Sequence, residues 1–317
     1  MLALGLFITL GSGALAPPVK GQDIEFGPPD VYMFASALRQ ELDELAIEMG
    51  EEIVTRSVMT VENVTSRYVF FEAASVFKKA SALCFEFTQY GVPLPHPPLG
   101  NIESKDVLEV VSGALDRIDC VKQALNITKQ PTLPERDETK TPTDVFVMLA
   151  AANRELNHLI EPEISHSDVY SKLVHVNQVV AQELEALAVI LDDHDFTVPE
   201  LPPYEARRSI KDTYKQLVLS LDLLHAIGKV SGLEEVMKVS PSYDEQFIAG
   251  DVYDLVTILM AEVHYFAEDL RIQEAEFEPD LTRHLPAHVY QQALLLERKL
   301  EVMLDLVERH PQWHGKT

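Results

Sequence analysis

The residues best placed to do chemistry are Glu155 and His158, a Glu-x-x-His pair one helical turn apart. Bundled di-metal proteins use two such pairs and two further glutamates, all facing inward. This chain has one pair, and the corresponding positions of later helices read Glu262-x-x-Tyr265 and Glu297-x-x-Leu300. A metal site needs its full ligand count, so the pair reads as the polar flank of a packed helix. Asp192, Asp193 and Asp195 are close enough in sequence to attract Ca²⁺. The following Phe196-Thr197-Val198-Pro199 breaks the twelve-position ligand spacing of a calcium loop, which leaves a solvated loop. His175, His225 and His264 lie on or beside apolar stripes and read as hydrogen-bonded packing residues.

No Cys-x-x-Cys-His, Gly-x-Gly-x-x-Gly, Walker loop or Gly-x-Ser-x-Gly occurs. Haem, dinucleotide, nucleotide and serine-hydrolase chemistry therefore have no foothold in the sequence. We expect no catalytic residue, no cofactor and no metal, hence a protein that is not an enzyme. Asn63-Val64-Thr65 and Asn126-Ile127-Thr128 match glycosylation sequons, a pattern common by chance.

The elements that position these residues share one phrase: Asp30-Val31-Tyr32, Asp106-Val107-Leu108, Asp144-Val145-Phe146, Asp168-Val169-Tyr170, Asp251-Val252-Tyr253 and, with His first, His288-Val289-Tyr290. Tyr68-Val69-Phe70 and Asp212-Thr213-Tyr214 are looser copies. Each opens a stripe of apolar residues at steps of four and three, such as Val252, Val256, Leu259, Val263, Phe266 and Leu270. That spacing keeps one seam on one side of a helix and suits shallow bundle packing. Thr141, Ser165 and Ser209 stand three residues before Asp144, Asp168 and Asp212, the spacing of a capping box. The phrase is thus a helix start, its acid facing the positive end of the helix dipole. The first four openings fall at 30, 68, 106 and 144, an even step of 38 residues that suggests repeated helix-plus-loop units.

The pattern predicts an all-α protein of about eight amphipathic helices in up-and-down bundles, built from internal repeats and without a sheet. Expected helices cover residues 29–50, 64–90, 104–125, 142–160, 166–191, 204–228, 250–273 and 286–309. Residues 128–140 hold Pro131 and Pro134 and no apolar stripe. They are expected to link a three-helix bundle, 28–127, to a five-helix bundle, 141–310.

Residues 1–21 read as a signal peptide: the apolar run Leu2 to Leu10 is too short to span a bilayer and leads to Ala14-Leu15-Ala16. A periplasmic or secreted protein follows. Cys84 and Cys120 are the two cysteines. In antiparallel neighbouring helices their depths would differ by roughly 15 Å at about 1.5 Å per residue. A bridge needs Cα atoms within about 7 Å, so two free buried thiols are expected.

Acids number 51 against 26 basic residues, a net charge of −25 over 317 residues. Such a surface opposes nucleic acid and anionic lipid, although Arg207, Arg208, Lys211 and Lys215 cluster. The expected function is non-catalytic: an interaction or scaffold protein of the cell envelope. Its partner, another and basic protein, would meet the outer face of the first helix at Glu41, Glu44, Glu48 and Glu52. The rival reading is a small-molecule sensor with a cavity in a bundle core, lined by groups such as Tyr253, Tyr290 or His264, and behind it stands a metal-bundle enzyme.

Overall fold

A computed structural model describes residues 26–51, 60–98, 101–160, 164–193, 195–232, 237–240, 247–272 and 282–310. The expected signal peptide, Glu52 and the tail around Trp313 lie outside them. Among the described residues eight helices are present: α1 Pro28–Met49, α2 Ser66–Thr88, α3 Ser104–Ala124, α4 Pro142–Leu159, α5 His166–Leu191, α6 Ile210–Ser231, α7 Ala249–Asp269 and α8 Pro286–Arg309. The seams run through one continuous core. In α7, Val252, Val256, Leu259 and Val263 are wholly buried. A small sheet was not expected, yet β1 (Thr60–Glu62) pairs antiparallel with β2 (Lys238–Ser240), with Val61 opposite Val239. Three residues are too few to show a period of two in sequence. The sixth helix starts at Ile210 rather than 204, because Arg207 takes a left-handed φ of 68° and Ser209 forms the cap.

The recurring acid does what its spacing implies. Asp144, Asp168 and Asp212 each accept a 2.8 Å bond from the cap N–H of Thr141, Ser165 or Ser209, whose hydroxyl accepts from the acid's own N–H. Asp30, Asp106 and Asp251 serve Gly27, Glu103 and Ile248 in the same way. In α8 the ring Nδ1 of His288 accepts from the N–H of Leu285 and takes the place of the carboxylate. The α2 start differs. Tyr68 occupies the acid's position, and its hydroxyl accepts instead from the N–H of Met237 at 2.6 Å.

The bundle is all-α as expected, but its helices are not connected up and down. Pro28, Val31, Ser66, Val69, Ser104, Val107, Pro142 and Val145 surround one small gap, which gathers the first turns of α1 to α4 at the same end. These four helices are therefore parallel. Residues 50–65, 89–103 and 125–141 return the chain to that end each time. The return is visible along α1, where Lys129 meets Glu44 and Arg136 meets Asp30 at 2.7 Å. Extended chain advances about 3.3 Å per residue and helix 1.5 Å. A strap with roughly half as many residues as its helix thus suffices, and each of these straps is longer than that. The expected linker, 128–140, is one of these straps, and α4 packs on α1 and α2.

Helices α5 to α8 repeat the plan. The first and second helices of each set pack on the third and fourth. Stacking of Tyr214 on Phe247 (4.1 Å) and of Tyr170 on His284 (3.6 Å) gathers the starts. At the other end Asp193 accepts from Arg309 and pairs with His310. The helices thus group four and four rather than three and five.

The two bundles meet mainly along α2 and α7, which run antiparallel: Arg67 lies over the Tyr265 ring at 3.7 Å, and Lys79 bonds Asp254 at 2.6 Å. Among the described residues, α5 is long and apolar enough by composition to cross a membrane, and its seam packs on α7 and α8.

The thiols are not free: Cys84 and Cys120 form a disulfide, with Cα atoms 5.9 Å apart. The expectation failed on helix direction. Both cysteines lie near the far ends of parallel helices and so share one depth.

Candidate functional site

Helices α2, α4 and α7 share a buried polar network between the bundles. In its middle, Asp254 accepts from Lys79, from Ser75 at 3.5 Å and from Asn157 at 3.1 Å. Asn153 donates to Glu72 at 2.9 Å and to Ser75 at 3.2 Å. Gly250 permits this approach: a Cβ there would lie 2.5 Å from the Asn157 side chain. Burial, then the nearby Asp254 charge, pushes Glu72 up to about 7. Beside it Lys172, lowered by burial, bonds Thr257 and lies 3.9 Å over the Tyr253 ring. Burial raises the Tyr253 phenol, but Lys172 and Lys78 outweigh it and leave the group below its ordinary value. The neighbouring void is about 10 Å³, room for one water. This network is a joint between bundles.

At the end of the α2/α7 seam where α2 begins, the bundles part. Thr65, Ser66, Arg67, Tyr68, Asn101, Ile102, Glu262 and Tyr265 line a cleft of about 310 Å³, the lower end of the range for small-molecule sites. Glu262 is 3% exposed, and its carboxyl receives no hydrogen bond from the described residues. Burial pushes it up to about 8, against the pull of Arg67, so at neutral pH it carries its proton. The Arg67 guanidinium carbon lies 3.7 Å from the centre of the Tyr265 ring, one turn along α7 from Glu262. The first turn of α2 carries no acid, and the Thr65 side chain makes no capping bond. A wider groove of about 570 Å³ lies between residues 195–199 and α8, but it is shallow and Asp195 and Asp305 line it from the solvent side.

The residues singled out in the sequence do not assemble into a site. Glu41 is 4% exposed and paired with buried Lys122. Glu44 is bridged to Lys129, Glu48 is exposed, and Glu52 lies outside the described residues. Glu41 therefore belongs to the interior and not to an open acidic face. Tyr253 belongs to the joint, His264 stands edge-on to Phe71 at 5.8 Å, and Tyr290 lies under Arg208 at 4.4 Å, so the three do not line one cavity. Glu155 is 3.8 Å from Arg39, and burial raises its carboxyl. Asp192 ends α5 in a left-handed turn, and Arg208 holds Glu205. Among the described residues no three metal-ligating side chains gather. The cleft residues were missed because they come from α2, α7 and the strap before α3. One signal was available: Tyr68 replaces the acid of the opening phrase.

Fold and site together define an all-α protein of two parallel four-helix sets with a polar cleft at their junction. Comparison with family models, curated proteins and solved structures finds no match for the chain.

Proposed function

We propose that the protein is a non-catalytic recognition module that binds a small polar molecule between its two bundles. The observation carrying this reading is Glu262, a buried carboxyl without a hydrogen-bond partner among the described residues, lining a cleft of about 310 Å³. Burying such a group costs stability unless a partner satisfies it, and a ligand would be that partner. The reading favours a sensor or carrier over a scaffold docked through α1, because Glu41 is already paired inside the fold. A disulfide between α2 and α3 supports work in an oxidising compartment, in keeping with the leader-like residues 1–21.

A thermal-shift screen of small polar metabolites tests the reading. Some compounds should raise the melting temperature of the wild type and not that of Asn101→Trp, which fills the cleft. Compounds that stabilise both proteins equally, or none at all, would overturn it.

A further inference from the structure

Resting on that reading, we propose that the cleft selects a carboxylate, held between the opening turn of α2 and the Glu262 side chain. Two independent features of the cleft ask for negative charge. The first is the α2 terminus. Six of the other seven helices fill this position with an aspartate and α8 fills it with His288 Nδ1, each accepting from the cap N–H. In α2 no side chain does so, and among the described residues the N–H groups of Ser66 and Tyr68 find no acceptor. The open turn presents donors and the positive end of a 23-residue helix to the cleft.

The second feature is Glu262 itself. Of the elements packed on α7, α2 presents Arg67 and the Tyr68 ring, while α4, α5 and α6 bring no charge to bear on this carboxyl. On α7 its neighbours are Tyr265 and His264, the latter turned onto Phe71. Protonated, Glu262 is a hydrogen-bond donor, so the cleft offers two open backbone N–H groups, an acid O–H, the Asn101 amide and the Arg67 charge. A carboxylate accepts from all of these. An ammonium ligand would have to strip the Glu262 proton and face the same helix terminus. The net charge of −25 opposes an anion at a distance, but it is screened beyond about 8–10 Å at physiological salt.

The test is calorimetric titration of the full chain with succinate, acetate and methylammonium at pH 6.5 and 9.5. Succinate or acetate should bind at pH 6.5, with affinity falling about tenfold per pH unit above about 8 as Glu262 loses its proton. Glu262→Gln keeps a donor, so it should bind at pH 6.5 and lose the pH dependence. Binding of methylammonium alone, stronger at pH 9.5 and abolished in Glu262→Gln, would overturn the carboxylate assignment and leave the cleft reading intact. Carboxylate binding unaffected by both Glu262→Gln and pH would also overturn it. If neither class binds while another compound stabilises the wild type but not Asn101→Trp, the assignment alone fails; if nothing does, the cleft reading fails with it.

Discussion

Cys84 and Cys120 stand 5.9 Å apart at Cα because α2 and α3 run in the same direction and place them at equal depth. The bond closes a loop of 36 residues that contains the whole return strap 89–103. In the chain-entropy model a loop of this size is worth about 3–4 kcal/mol. The double variant Cys84→Ser/Cys120→Ser should lose stability by that amount in urea melts. The intact protein should show no free thiol by mass before reduction. Two alkylated cysteines in the unreduced protein would contradict parallel packing of these helices.

The capping acids are structural. Asp168→Ala removes the bonds to Ser165 and the charge at the α5 terminus. It should cost about 0.5–2 kcal/mol in denaturant melts and leave ligand binding unchanged.

At the joint, Asp254 receives Lys79, Ser75 and Asn157. Asp254→Leu leaves a buried ammonium without its partner and should destabilise by about 3–5 kcal/mol. The cost should fall in the double variant Lys79→Met/Asp254→Leu, which removes both charges. An additive double-mutant cycle would contradict the buried pair.

Glu72 and Glu262 give stability a distinctive pH slope. Both carboxyls sit above their unfolded values, at about 7 and about 8. The folded state therefore holds more protons than the unfolded state between about pH 4.5 and 8. Their contribution is full below about 4.5, falls as pH rises through 7 and 8, and is flat beyond. Glu262→Gln should flatten the upper part of the slope and stabilise the protein at pH 9 by an amount on the order of a few kcal/mol. Chemical denaturation at pH 5, 7 and 9 reads this directly.

Helix existence was legible because one rule, a 4-3 seam opened by an acid, is purely local. Helix direction was not, because a Pro-rich strap such as 92–98 reads the same whether it turns the chain back or carries it home. The even 38-residue step held that information, since a hairpin needs far fewer connecting residues than a return strap. The site was legible only as an exception. Tyr68 stands where the phrase calls for an acid, and Glu262 sits between the seam residues Leu259 and Val263, where a charge is expensive. The Glu41 to Glu52 run misled because spacing places charges on one side of a helix but does not show that Lys122 waits across it.

The most direct measurement is carbon-13 NMR of the glutamate carboxyls across pH, with Glu72→Gln and Glu262→Gln for assignment. The account predicts a resonance titrating near pH 8 that vanishes in Glu262→Gln and moves to higher pH when succinate saturates the cleft. A Glu262 carboxyl that titrates between about 4 and 5, or ignores added succinate, would contradict it.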